Sequence, residues 1–174
     1  MTSLGRPGRR AVLSFALAAV PAAYASRALA VDALPDARFV GYAQSHNDFE
    51  IASAKLALSK SSNENVRGFA SRMLTEHSLD AEHLAKVRAE AGVSYAPDPN
   101  TPTVAVLRRL GGLEGAEFDA AYANAQLAAS TNAEAQYGAY SQNGKSGPLR
   151  RYAIDEYPKK RTHLEYAKRL AGGL

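Results

Sequence analysis

Glycine and proline cluster at three places in this chain, within residues 92–102, 111–115 and 144–148. Between these breaks the apolar residues recur every three or four positions, and alternating β-branched residues are nearly absent. This spacing is typical of amphipathic helices and not of strands. The sequence therefore predicts an all-α protein.

The same pattern predicts four long helices and one short helix. Their expected bounds are residues 36–60, 64–91, 103–110, 116–142 and 148–170, of which 103–110 is the short one. Gly92 is placed to end the second long helix as its C′ residue. Pro158 is expected to kink or interrupt the last helix, because proline cannot donate a backbone hydrogen bond.

The lengths of the connections predict how these helices pack. The first two long helices, and the last two, are joined by short segments, so each pair is expected to form an antiparallel hairpin. The connection between the second and third long helices spans about 22 residues, enough to cross over a bundle as in ferritin-like folds. We expect a ferritin-like four-helix bundle over residues 36–171, preceded by a short linker at 31–35.

Residues 1–30 have the features of a secretory signal peptide. A basic segment with Arg9-Arg10 precedes the apolar stretch 11–23, and Ala28-Leu29-Ala30 is a small-x-small cleavage site. The stretch is shorter than the roughly 20 residues of a membrane span, and no second apolar segment follows it. No membrane span is therefore expected after cleavage near Ala30. The paired arginines resemble a twin-arginine signal, and both that route and the general secretory route stay open. The prediction is a periplasmic or secreted protein.

Charge and composition exclude several classes of function. The chain has a net charge of +4, and the first 30 residues contain four arginines and no acid, so the remainder is neutral overall. A neutral body has no field that attracts nucleic acid. Without cysteine, disulfide scaffolds and thiolate metal sites are excluded. Motifs for a nucleophilic serine, for phosphates and for dinucleotides are absent, which favours a binding protein over an enzyme.

Ionisable residues interrupt the apolar faces of three predicted helices, and burying such groups is costly unless they pair or bind a metal. Glu50 lies 12 residues before the turn near Ser62, and His77 lies 15 residues after it, so the two are nearly level. His163 lies near the middle of the last helix. The interrupting residues are His46, Glu50, His77, Asp80, Glu156 and His163.

A carboxylate and two imidazoles at one level predict a site for zinc, iron, copper or manganese built from Glu50, His77 and His163. His46, Asp80 and Glu134 are weaker candidates. A di-iron centre is disfavoured, because no E-x-x-H motif is present. The alternative is a cluster of hydrogen bonds that holds the helices in register, in a structural or interaction protein of the cell envelope.

Four sequence blocks resemble one bacterial family. They are Phe49-Glu50-Ile51, the run from Asn65 to His77, Phe118 to Tyr122 with Gln126, and Tyr157-Pro158 with His163-Leu164. Together they resemble the domain of unknown function 4142 family over about residues 36–171. The resemblance implies a ferritin-like bundle and export, often under the label of an outer membrane protein, and no established activity.

The family pattern also implies one polar group on each long helix. Glu50, His77 and His163 match it, and Glu76 replaces an aspartate before His77. Ser130 stands where the third helix usually has a histidine, and Glu134 follows one turn later. The resemblance therefore implies a site that lacks one ligand, for which Glu134 or His46 could compensate.

The last predicted helix is basic. Residues 145–174 contain eight basic and three acidic residues. A solvated helix face accounts for such a run. The sequence also leaves open a weak contact between this helix and an anionic envelope surface.

Overall fold

A computed structural model of the protein describes residues 32–95 and 102–174. Within these ranges the chain forms five α-helices and no strand, which confirms the all-α prediction. The helices are α1 (Asp36–Lys60), α2 (Glu64–Glu90), α3 (Pro102–Gly111), α4 (Gly115–Asn143) and α5 (Gly147–Gly172). The predicted signal peptide, its cleavage site and residues 96–101 of the connection after α2 lie outside the described residues.

Local signals set both ends of α2. At its start the Asn63 Oδ1 accepts hydrogen bonds from the backbone N–H groups of Asn65 and Val66, at 2.9 and 3.3 Å, which is the usual role of an N-cap asparagine. At its end Gly92 adopts a left-handed φ of 67°. The Val93 N–H then bonds the Arg88 carbonyl at 2.9 Å. This closing pattern is the Schellman motif, and it confirms the predicted C′ glycine.

Pro158 lies inside α5, and the helix continues through it to Gly172. Of the two outcomes expected at Pro158, the interruption does not occur. Proline removes one hydrogen bond, the one that the carbonyl of Ile154 would accept. Ile154 is 49% exposed and thus lies on the solvent side of α5, where the loss of one hydrogen bond costs less than in the interior.

Short connections join α1 to α2 and α4 to α5, and each of these pairs packs along its length. In addition α2 packs against α5 and α1 against α4, so the four long helices surround a common interior. The short helix α3 lies against α1 and α4 and contributes Leu110 to the core. None of the helices in the described ranges is long and apolar enough to cross a membrane.

The interior has an apolar cluster at each end and a polar layer between them. One cluster, near the α1–α2 turn, includes Phe69, Met73 and Phe118. The other, near the α4–α5 turn, includes Phe39 and Tyr140. We define the polar layer as the buried polar side chains in the middle of the long helices: His46, Asn47, Glu50, Ser53, His77, Asp80, Gln126, Ser130, Glu156, Lys160 and His163.

The α4–α5 turn offers a test of the packing at the second cluster. A Cβ on Gly144 would lie 2.5 Å from the Tyr140 ring. That ring cannot easily yield, because it stacks on Phe39 at 3.8 Å and its hydroxyl donates to Asp36. We expect Gly144→Ala to lower the free energy of unfolding by about 1–3 kcal/mol, measured by urea denaturation. Gly147→Ala, whose Cβ meets only the tip of an arginine, is the matched control and should change it little.

Candidate metal centre

Three ionisable side chains of the polar layer come together in the interior. His46 and Glu50 lie one turn apart on α1 and share a face, and His77 faces them from α2. One donor atom from each residue lies within 4.8 Å of the other two, and all three side chains are buried. The His46 Nδ1 is 3.8 Å from a Glu50 carboxyl oxygen. The structure thus brings the predicted pair Glu50 and His77 together and adds His46, which the sequence ranked lower.

Asn47 orients the ring of His77. Its side-chain oxygen lies 2.8 Å from the His77 Nδ1, so Nδ1 carries the proton and donates it. The other ring nitrogen, Nε2, then presents a lone pair to the interior, where it is buried without a hydrogen-bond partner. A histidine held through one nitrogen by an amide or carboxylate oxygen, with its other nitrogen free, is the usual arrangement at a metal ion.

Unpaired polar atoms concentrate in this part of the interior. The second carboxyl oxygen of Glu50 and the His163 Nδ1 are also buried without a partner. So are the Gln126 Oε1 and the Tyr122 hydroxyl, on the face of α4 that lies toward Glu50. Buried polar groups are normally satisfied by hydrogen bonds, by water or by an ion. An ion or a water molecule in this part of the polar layer would find several unpaired donor atoms around it.

His163 lies beside this cluster but is not part of the group within 4.8 Å. Its ring centroid is 5.1 Å from that of His77. Its Nε2 lies 2.5 Å from a carboxyl oxygen of Glu76, at the inner wall of a surface pocket between α2 and α5. The pocket has a volume of about 540 Å³.

Two weaker candidates are engaged elsewhere. Asp80 accepts hydrogen bonds from the Lys160 ammonium at 2.6 Å and from the Tyr152 hydroxyl at 2.5 Å. Glu134 accepts one from the Tyr157 hydroxyl at 2.9 Å and is half-buried on α4. Neither carboxylate belongs to the cluster of His46, Glu50 and His77.

Sequence reasoning missed Asn47 and Lys160. Lys160 follows Glu156 by four positions and precedes His163 by three, so the helical spacing already placed it on the inward face of α5. Asn47 is adjacent to His46, but the residues one turn away on either side of it are a mixture of polar and apolar types, so the helical spacing carries no comparable signal. Its contact with His77 depends on how α1 meets α2.

Burial dominates the electrostatics of the cluster. It lowers the pKa of His46 and of His77 well below the ordinary 6.5, and the nearby Lys160 charge lowers both further. Burial raises the pKa of Glu50 to about 8, although the Gln126 side chain and Lys160 oppose that shift. At neutral pH both imidazoles are neutral, which is their metal-binding form, and Glu50 holds a proton that a cation would displace.

The Glu50 carboxyl gives a testable pH dependence in protein kept metal-free by a chelator. Because its pKa is about 8 when folded and 4.5 ordinarily, the folded state binds more protons over that range, and stability falls as pH rises. The lowered pKa values of His46, His77 and His163 have the opposite effect, because the unfolded state binds protons at these imidazoles around and below pH 6.5. That effect fades within about one pH unit above 6.5, so the Glu50 effect is the larger one from there to about pH 8.

We therefore expect the free energy of unfolding of the parent protein to fall by an amount on the order of 1 kcal/mol between pH 6.5 and about 8.5. Urea denaturation at each pH measures it. Glu50→Gln cannot titrate and should show no fall over the same range. An equal fall of the free energy of unfolding with pH in both proteins would contradict the assignment of this titration to Glu50.

Comparisons with known proteins agree with the sequence blocks. The family model described as Domain of unknown function (DUF4142) matches residues 18–170. No curated protein and no solved structure matches the chain. Because the family model spans most of the sequence, including all the residues of the polar layer, the chain belongs to the DUF4142 family.

Proposed function

We propose that this protein is an exported, ferritin-like four-helix bundle that binds one divalent transition-metal ion through His46, Glu50 and His77. The observation that carries the proposal is the convergence of these three buried side chains within 4.8 Å. The unpaired atoms of Glu50 and His77 support it. Without an ion or water these groups would be costly to bury.

The donor set indicates the class of metal. Two imidazoles and one carboxylate suit zinc, iron, copper and manganese, whereas thiolate-dependent sites are excluded because the chain has no cysteine. Donor atoms around a tetrahedral zinc lie about 3.3 Å apart. Binding would therefore draw the three side chains closer together than they lie now.

The bundle assignment is supported by the packing of the helices. Two hairpins, α1–α2 and α4–α5, surround a common interior and are linked by the longer connection that contains α3. Metal sites of ferritin-like proteins lie between helices in such an interior. The donor set here supports one ion and not a di-iron pair, since neither of the two E-x-x-H motifs that such a pair needs is present.

For the cellular role we propose metal storage, metal sensing or protection against stress in the cell envelope. The signal-like residues 1–30, with cleavage near Ala30, support a periplasmic or secreted location. The exposed basic side chains of α5, such as Arg161, could add a weak contact with an anionic envelope surface. A binding role is favoured over an enzyme, because no nucleophile or substrate motif accompanies the cluster.

One observation favours a second candidate, a structural or interaction protein that binds no metal. The buried Lys160 ammonium is close enough to lower the pKa of His46 and His77, and the same charge would repel a bound cation. Its ion pair with Asp80, at 2.6 Å, offsets that repulsion. In this second case the polar layer serves only to hold the helices in register.

Histidine variants of the mature chain distinguish the two candidates. We expect the chelator-treated protein to bind one equivalent of Zn²⁺ in a calorimetric titration, and its melting temperature to rise with Zn²⁺ concentration, because a ligand that binds only the folded state stabilises it. His46→Ala and His77→Ala should each lose this binding.

His83→Ala is the control, because His83 is 43% exposed and lies outside the cluster. It should bind Zn²⁺ as the parent protein does. Failure of the parent protein to bind Zn²⁺, Fe²⁺, Cu²⁺ or Mn²⁺ would contradict the metal proposal and leave the structural candidate. Equal loss in His83→Ala would show that the assay reports surface histidines.

A further inference from the structure

The two ring nitrogens of His163 have different surroundings. Nε2 lies 2.5 Å from a Glu76 carboxyl oxygen at the surface pocket between α2 and α5. Nδ1 is buried and has no hydrogen-bond partner. The ring itself lies next to His77, and only 5% of the side chain is exposed. His163 thus separates the pocket from the interior.

Glu76 is placed for this contact by its position in α2. It directly precedes His77, and consecutive side chains on a helix point about 100° apart. His77 can therefore face the interior while Glu76 reaches His163 from outside. Arg72, one turn earlier, donates to the other Glu76 carboxyl oxygen at 3.3 Å. The carboxylate is held between the guanidinium and the imidazole.

A carboxylate in this position determines which ring nitrogen of the imidazole carries the proton. Because an ionised carboxylate only accepts hydrogen bonds, the ring proton resides on Nε2. The lone pair is then on Nδ1, the buried atom. Pairs of a carboxylate and a histidine behave in this way at metal ions, where the carboxylate fixes the ring and makes its free nitrogen a better ligand. Asn47 has the equivalent relation to His77.

We propose that Glu76 is a positioning residue that makes His163 a further protein ligand of the metal centre, beside His46, Glu50 and His77. The inference rests on the proposed function. It adds that the ion would have four protein ligands from α1, α2 and α5. Four protein ligands close a tetrahedral site, as in structural metal sites, whereas catalytic sites keep a position open. A closed site fits a protein that holds or carries its metal.

The test is a double-mutant cycle with Co²⁺ as the probe, since its visible spectrum reports its coordination. We expect Glu76→Gln to weaken Co²⁺ binding about 10–100-fold, and His163→Ala to weaken it at least as much. In the His163→Ala background, Glu76→Gln should have no further effect, because its target is gone. Glu76→Asp should recover part of the affinity and of the parent spectrum.

Arg72→Met is the matched control. It removes the surface ion pair of Glu76 and leaves the carboxylate on His163, so Co²⁺ affinity and spectrum should stay close to those of the parent protein. Circular dichroism of each variant checks that its helices are intact. A Glu76→Gln effect of the same size in both backgrounds would overturn the positioning role.

The outcomes also separate this inference from the proposed function. If His163→Ala binds Co²⁺ as tightly as the parent protein while His77→Ala does not, His163 is not a ligand and the three-residue site stands. If His46→Ala and His77→Ala bind as tightly as the parent protein, or if the parent protein binds no metal, the proposed function fails and this inference fails with it.

Discussion

The cost of burying polar groups is the constraint on which the rest of this structure depends. Each long helix has polar side chains at its middle and apolar side chains toward both ends. The polar groups are tolerated inside only where they meet one another. Sliding one helix by a turn, about 5.4 Å, would place them against an apolar cluster and leave their partners unpaired. The polar layer therefore fixes the register of the helices.

Much of this arrangement could be predicted from the sequence, because a helix relates position to direction by a fixed rotation. That rule gave the helix bounds to within a few residues and placed His46, Glu50, His77 and His163 inside. The rise per residue brought Glu50 level with His77. The sequence does not show that Ile154, four residues before Pro158, is exposed, and an interruption of the helix was therefore expected there as one of two outcomes.

What the sequence could not give are the partners of each side chain. Periodicity shows which face of a helix a residue occupies, but not the rotamer it adopts or the side chain opposite. Asp80 was thus weighed as a ligand, whereas Lys160 and Tyr152 hold it. The relation of His163 to Glu76 also depends on the distance between α2 and α5, which no spacing within one helix encodes.

The charges of the layer show why residues beyond the immediate ligands matter for an ion. In the metal-free layer at neutral pH the imidazoles are neutral, Glu50 is largely protonated, and Lys160 is balanced by Asp80. A divalent cation that displaces the Glu50 proton leaves one positive charge in excess. The Glu76 carboxylate lies against His163 at the edge of the layer, and its other ion pair is with the half-exposed Arg72. Because that surface pair is screened by water, the Glu76 carboxylate can offset the excess charge through His163. The same contact that orients the imidazole would thereby also lower the cost of placing a cation inside the protein.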